Sequence, residues 1–230
     1  MESLPQELID KIIDNLPYSS LDSSSLVARR WRYRSQRRLF GSVEFSSERD
    51  LVLWCTNIPQ DPDGIPSYVR FARLQEIRSW HEPALFGRVL KNFTKMTILW
   101  INKARIPPPD ELPAIVSFGE FGKKVELLIL FSPRCTVATI TSLVLSFPNL
   151  EDFLLSGTVS KNPLVTLPCT LQRRPLGSLR LCTAESGVGV ALAQSGLRSR
   201  QFSLSVCDSG LKNLLALSSE VIVELILSGM

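Results

Sequence analysis

The sequence predicts an α/β protein in which a short helical head precedes an irregular solenoid, with a parallel ladder of strands and covering helices. Apolar residues in the first 45 positions recur at helical spacing. Beyond them, a short apolar pattern typical of a strand recurs seven times, and amphipathic helical patterns lie between its copies. We therefore expect two domains, a helical head at residues 1–45 and a repeating body at residues 46–230.

The head combines two apolar stripes with an uneven distribution of charge. Residues 1–27 carry a net charge of −4, and the next 13 residues carry six arginines and no acid. The stripes are formed by Leu8, Ile9, Ile12, Ile13 and Leu16, and then by Leu26, Val27, Trp31 and Leu39. Because two or three short helices form too small a core to be stable alone, we expect their apolar faces to pack against another surface.

The residues of the head resemble an F-box. This motif begins with Leu-Pro and Glu-Leu, runs through an Ile/Leu helix to a second Leu-Pro, continues with Leu-Val-x-Arg-x-Trp and ends on Leu-Phe. The matching residues are Leu4, Pro5, Glu7, Leu8, Ile12, Leu16, Leu26, Val27, Arg29 or Arg30, Trp31, Leu39 and Phe40. The resemblance covers about 40 of the 230 residues, and Ala28 departs from it where Cys or Ser is common.

The resemblance implies that the head docks on a Skp-family linker protein, which in turn binds a cullin scaffold bearing a RING subunit. A small helical head with surplus apolar surface is physically suited to a helical partner. Carried over residue by residue, the docking face would be formed or supported by Leu4, Pro5, Leu8, Ile12, Leu16, Leu26, Val27 and Trp31. The alternative is that these stripes simply pack on the downstream body.

The body repeats the pattern apolar-x-x-apolar-x-apolar. Its copies lie at residues 69–74, 93–98, 125–130, 150–155, 176–181, 199–204 and 222–227. Their last apolar residues are Leu74, Ile98, Leu130, Leu155, Leu181, Leu204 and Leu227, at intervals of 24, 32, 25, 26, 23 and 23 residues. Five of the six intervals fall within the range of about 20–29 residues that is typical of leucine-rich repeats. We expect a degenerate leucine-rich-repeat solenoid, with an inserted loop at residues 107–109; an ordinary α/β sheet is the alternative.

Helical patterns separate the strands of the body. They consist of Leu85, Val89, Leu90 and Phe93, of Ile140, Leu143, Val144 and Phe147, and of Leu211, Leu214 and Leu215 after Asp208. The sequence ends three residues beyond the last strand pattern, although solenoids normally end in a capping element. The sequence therefore predicts either a body truncated at its C-terminal end or a last strand protected by self-association.

The composition and the scarce residues exclude several classes of protein. A hydrophobic share of 44% excludes a chain disordered throughout, and the longest apolar stretches are shorter than the roughly 20 residues that cross a bilayer. With one histidine, His81, and five dispersed cysteines, no metal site and no cofactor are expected. The cysteines are Cys55, Cys135, Cys169, Cys182 and Cys207. An odd, dispersed set fits a reducing compartment, so we expect a cytoplasmic or nuclear protein that does not bind membranes.

No catalytic motif is found. Residues 186–189 lack the Gly-Lys-Ser/Thr ending of a phosphate loop, and His81 has no nucleophile motif to serve. The arginine-rich segment with Trp31 and Tyr33 could bind nucleic acid, but its arginines spread around a helix and the acidic segment can neutralise them. We therefore expect neither an enzyme nor a nucleic-acid-binding protein.

The predicted function is that of a substrate-receptor subunit of a cullin–RING ubiquitin ligase, which acts by holding a target protein near the conjugating enzyme. The alternative is a leucine-rich-repeat scaffold or protein-interaction module outside any ligase. The sequence does not identify the target. The polar strand positions expected to contact it are Arg70, Arg73, Lys95, Thr97, Glu126, Glu151, Asp152, Ser178, Arg180, Ser203, Ser205 and Glu224.

Overall fold

The computed structural model describes residues 4–59, 61, 63–78, 83–106, 122–157, 175–182, 188, 191–192, 195–204, 215–216, 219 and 222–227. Its helices are α1 (Gln6–Asn15), α2 (Leu21–Val27), α3 (Arg29–Leu39), α4 (Glu48–Asn57), α5 (Pro83–Leu90) and α6 (Val137–Leu145). Its strands are β1 (Ser42–Phe45), β2 (Phe71–Gln75), β3 (Ile98–Asn102), β4 (Leu127–Phe131), β5 (Asp152–Ser156), β6 (Leu176–Cys182), β7 (Ser199–Leu204) and β8 (Glu224–Leu227). Short 3₁₀ turns occupy Tyr18–Ser20, Ile65–Tyr68 and Gly122–Lys124.

The eight described strands form one sheet in the order of the chain, and every neighbouring pair is parallel. The predicted α/β architecture, with a helical head before a parallel sheet, is therefore confirmed. The predicted register is also confirmed from β4 onward, since Leu130, Leu155, Leu181, Leu204 and Leu227 are successive partners. Parallel neighbours in chain order require a crossover between each pair of strands, which explains the helical patterns between them.

The same backbone hydrogen bonds recur where successive strands begin. In five consecutive units, one carbonyl accepts hydrogen bonds from two consecutive amides of the next unit. These carbonyls belong to Gly41, Arg70, Thr97, Glu126 and Glu151. A repeated local geometry at regular spacing means that each unit is added to the preceding one in the same way.

Two details of the predicted strand pattern are wrong. The second copy was expected to end on Ile98, but Ile101 is the residue that pairs with Leu74 and Leu130. The sequence pattern is misleading there because Phe93 and Met96 are buried in the core although they precede the strand. In addition, β1 was not predicted, since only Val43 and Phe45 mark its buried face.

The core lies on one side of the sheet, between the strands and the described helices of the body. Alternate strand residues contribute to it together with Leu51 of α4, Val89 of α5 and Ile140 of α6. The head has a small core of its own, formed by Ile9, Ile13 and Leu21. Residues 186, 187 and 189, the helical pattern at 208–214, the expected loop at 107–109, residues 228–230, His81, Cys169 and Cys207 lie outside the described residues, whereas Val188 is described and buried.

Four successive strands are each followed by a residue with a positive φ angle. Glu76, Lys103, Ser132 and Gly157 follow β2 to β5 directly and have φ of 55°, 50°, 46° and 107°. The backbone amide of each of these residues donates a hydrogen bond to the backbone carbonyl of the last residue of the next strand. The left-handed conformation thus turns the chain away from the sheet while the ladder gains one further bond.

Replacing Gly157 with alanine is expected to lower the free energy of unfolding by about 2–3 kcal/mol. A Cβ atom at this position would lie 2.7 Å from the Cα of Ser132, and the φ angle of 107° disfavours any side chain. Urea unfolding followed by circular dichroism measures the change. Gly196→Ala is the matched control, because it has φ of 75° and no atom within 4 Å of the added Cβ. An equal effect of the two substitutions would show that the close contact with Ser132 is unimportant.

Candidate interaction surfaces of the head and the sheet

Helix α1 presents apolar residues on two sides. Ile9 and Ile13 point into the core of the head and are 3% and 0% exposed. Leu8 and Ile12, one residue earlier in each turn, are 47% and 41% exposed. Since successive residues turn by about 100°, an apolar arc this wide extends beyond the surface that the small core covers. One side of α1 therefore builds the head, and the other is left open to a partner.

A second exposed apolar group lies where α2 ends. Leu26 is 76% exposed and Val27 is 66% exposed, directly before the extended residue Ala28. Tyr18 is also 61% exposed, and its hydroxyl donates a hydrogen bond of 2.7 Å to the carbonyl of Leu39. The residues predicted from the sequence to form the docking face do not include Tyr18, although it directly follows the second Leu-Pro of the head.

The eight residues expected to form or support docking fall into two groups. Six of them are exposed: Leu4, Pro5, Leu8, Ile12, Leu26 and Val27. Leu16 and Trp31 are half-buried and pack against the core of the head. The exposed residues are available for contact, whereas Leu16 and Trp31 position the helices that carry them.

Arginines of α3 hold α1 in place. Arg34 donates two hydrogen bonds to the carboxylate of Asp14, at 2.8 Å and 2.5 Å. Arg38 donates to the carbonyls of Ile13 and Leu16 at the end of α1, where the carbonyl of Ile13 also accepts the amide of Leu16. Arg30 donates from Nε to the side-chain oxygen of Gln6 at 3.2 Å. Half of the six arginines thus contact the preceding segment, and one of these contacts, between Arg34 and Asp14, pairs opposite charges as the charge pattern suggested.

Asp14→Asn is expected to destabilise the head by at most about 1 kcal/mol near pH 7. The hydrogen bonds from Arg34 hold the pKa of the Asp14 carboxyl below its ordinary value, so folding favours the ionised form. This contribution is present above the ordinary pKa near 3.8 and is lost as the pH falls through the lowered value. Urea unfolding near pH 7 and at a pH below the lowered value should show a difference between wild type and variant only at the higher pH. Asp63→Asn, at an exposed carboxylate of the body, serves as control; a difference that persisted in acid would contradict the assignment.

The body contacts the head through α3 and leaves the exposed side of α1 uncovered. The ring of Tyr33 lies edge-on to that of Tyr68, with centroids 5.5 Å apart. Phe40, which follows α3, lies edge-on to Trp54, and the centroids of the two rings are 6.0 Å apart. The apolar residues of α1 and α2 that face outward are consequently not used in this junction, as their exposure shows.

The sheet presents a second surface, on the side away from the core. Of the polar residues expected there, six are exposed: Lys95, Glu126, Glu151, Asp152, Arg180 and Glu224. Arg70, Arg73, Thr97 and Ser203 are half-buried. Ser178 is buried, contrary to expectation, because its short side chain lies between Asp152 and Gln201 in the register. Ser205 lies outside the described residues.

Sequence reasoning missed the apolar character of this surface. We call the outward-facing residues Phe71, Ile98, Trp100, Leu127, Ile129 and Leu154 the sheet patch. They occupy two adjacent rows across β2 to β5, and each is half-buried. The sequence does indicate this surface in β4, whose residues are all apolar. A strand with one face in water would instead alternate apolar and polar residues.

Three further observations concern other kinds of site. Among the described helices, none is both long enough and apolar enough to cross a membrane. Within the same part of the chain, no three His, Cys, Asp or Glu residues come together in a way that could hold a metal ion. Cys135 is buried, and burial raises the pKa of its thiol to about 12, so it is a poor nucleophile at neutral pH.

Comparison with known proteins identifies the head. The family model of the F-box domain matches residues 1–42. The search of curated proteins finds no match for this sequence. The chain thus carries an F-box domain, which implies a role in an SCF-type ubiquitin ligase through a Skp-family linker protein. The match ends at the first residue of β1, so it describes the head and not the body.

Proposed function

We propose that this chain is a substrate-receptor subunit of a cullin–RING ubiquitin ligase, in which the head docks on a Skp-family linker protein and the body binds a protein target. The observation that carries the proposal is the exposed apolar surface of the head, which lies within the residues that match the F-box domain. Large apolar side chains that remain exposed in adjacent groups mark protein-interaction sites.

The docking face is proposed to include Leu8 and Ile12 from α1 and Leu26 and Val27 from α2. Both groups are exposed although the head has a core of its own, so they are not needed to hold its helices together. The bonds from α3 to α1 fix the orientation of α1 before any partner binds. Such preorganisation reduces the entropy that is lost on association.

The body is proposed to be a degenerate leucine-rich-repeat solenoid. This interpretation is supported by the strand order, by the five repeated carbonyl bonds and by the left-handed residues after four successive strands. An ordinary α/β sheet does not need equivalent local geometry in each unit. A solenoid presents a long continuous surface, which suits the binding of a target protein.

The proposed contribution to ubiquitin transfer is proximity. A target held by the body and a conjugating enzyme held by the cullin–RING scaffold react at a raised effective concentration, and no side chain of this chain takes part in the chemistry. F-box adaptors of ubiquitin ligases are in general non-catalytic, which agrees with this role. We propose that the complex acts in the cytoplasm, the nucleus or both.

Reconstitution tests the proposed function. The purified chain, mixed with a Skp-family linker protein and then with a cullin–RING complex, is expected to elute with both from a size-exclusion column. A folded chain that fails to bind the linker would overturn the ligase role. If the body still bound other proteins in that case, the alternative of a scaffold outside any ligase would be favoured. Circular dichroism of the eluted chain shows whether it is folded.

A further inference from the structure

We propose that the head is also the first unit of the ladder, so that a linker protein docked on α1 and α2 stabilises the pairing of β1 with β2 in the body. This inference rests on the proposed function only in taking a Skp-family linker to be the ligand of the head. Three features of the molecule support it: the hydrogen bonds where β1 begins, the contacts that α3 makes with both parts of the chain, and the small core of the head.

The first of the repeated bond pairs begins inside the head. The carbonyl of Gly41 accepts hydrogen bonds from the amides of Arg70 and Phe71, at 2.8 Å and 3.1 Å. The carbonyls of the following units form the same pair of bonds at the same place in the register. Gly41 is separated from α3 by Phe40 alone and lies within the residues that match the F-box domain. The matched domain therefore supplies the first acceptor of the ladder.

Helix α3 contacts both the head and the body. Trp31 and Leu39 pack against the core of the head. Phe40, directly after the helix, lies edge-on to Trp54 of α4, and Trp54 in turn lies edge-on to Phe45 of β1, with ring centroids 5.6 Å apart. Because both sets of contacts are made by one helix and the residue after it, the position of α3 affects the packing of the head and of the first strand together.

The core of the head is small. Its buried apolar residues, among those described, are Ile9, Ile13 and Leu21. A core of this size gives little stability of its own, so we expect the head to open more often than the central strands. A linker that binds only the closed head shifts this equilibrium toward the closed form. The closed head in turn holds the start of β1 against β2, because only two residues separate α3 from β1.

An equivalent bond pair farther along the ladder provides an internal reference. The amides of Glu151 and Asp152 donate to the carbonyl of Glu126, at 2.8 Å each. In a ladder of this kind each unit contacts chiefly its neighbours, so an effect that passes through α3 and β1 should fade over the intervening strands. Stabilisation by the linker should therefore be large at β2 and small at β5.

Hydrogen exchange of the full chain, resolved to single amides by fragmentation in a mass spectrometer, tests this inference. Saturation with a Skp-family linker is expected to slow exchange at Arg70 and Phe71 about tenfold or more. Exchange at Glu151 and Asp152 should change less than about twofold. Unchanged exchange at Arg70 and Phe71 in a formed complex would overturn the inference, and so would an equal change at all four amides.

Ile13→Ala tests the same connection without any linker. The side chain of Ile13 is 0% exposed, so its truncation destabilises the head and should speed exchange at Arg70 and Phe71 about tenfold. Lys11→Ala is the matched control, because it truncates an exposed side chain on the same helix, and it should change this exchange less than about twofold. Equal effects of the two substitutions, or no effect of Ile13→Ala, would contradict the proposal.

The two experiments separate this inference from the proposed function. If the folded chain did not bind the linker, the ligase role would fail, but Ile13→Ala would still decide whether the head stabilises the first strands. If Ile13→Ala did not fold, Ile13→Val removes less of the same side chain and should speed exchange at Arg70 and Phe71 in the same direction. Exchange that Ile13→Val left unchanged would overturn the inference.

Discussion

Replacing Leu8 and Ile12 with aspartate is expected to weaken binding of the Skp-family linker by about 100-fold or more, while the chain stays folded. Both side chains are more than 40% exposed, so the core of the head does not depend on them. In a docked complex each would be desolvated against the partner, and a carboxylate in that position would be buried without a counter-charge. Titration calorimetry of the purified chain with the linker measures the loss.

Lys11→Asp provides the matched control for this pair. It changes the net charge by the same amount on the same helix, at an exposed position outside the apolar group. We expect Lys11→Asp to retain affinity within about threefold, since exposed charges contribute little. Undiminished binding by the double aspartate variant would show that α1 does not form the docking face, and equal losses by both variants would point to a non-specific charge effect.

Phe93→Ala is expected to lower the free energy of unfolding of the body by about 3–5 kcal/mol. The ring of Phe93 is fully buried and contacts Phe45 and Trp54, with centroids 6.3 Å and 5.7 Å away. Its removal leaves a cavity at the point where β1, α4 and the end of α5 meet. Because Trp54 also contacts Phe40, we expect the substitution to destabilise the junction with the head as well.

Phe131→Ala is the control for this cavity, since it removes the same ring from a side chain that is 42% exposed beside the sheet patch. We expect Phe131→Ala to lower the free energy of unfolding by less than about 1.5 kcal/mol, because folding buries little of this side chain's apolar area. Urea unfolding, followed by tryptophan fluorescence, compares the two variants. Equal losses would contradict the assignment of Phe93 to the core and of Phe131 to the surface.

Local pattern was sufficient to predict the parts of the fold that depend on neighbours in sequence. The spacing of Leu8, Ile9, Ile12, Ile13 and Leu16 predicted the apolar helix α1, and the structure then divides them, with Ile9 and Ile13 buried and Leu8 and Ile12 exposed. Likewise, the regular spacing from Leu130 to Leu227 predicted the register of five strands. In α1 the helical period brings the apolar residues together, and in the body an interval of 23–26 residues aligns equivalent strand residues; both periods are visible in the sequence.

The sequence by itself determined that a helical head carries more apolar surface than it can bury, and that the body repeats strand and helix. Only the tertiary structure decided which residues of the apolar runs face outward, because a strand that is apolar on both sides has no alternation to read. It also decided the pairing of Asp14 with Arg34, the strand at Ser42–Phe45 and the place of Ile101 in the ladder. These features arise from contacts between residues 20 or more positions apart, which local spacing does not encode.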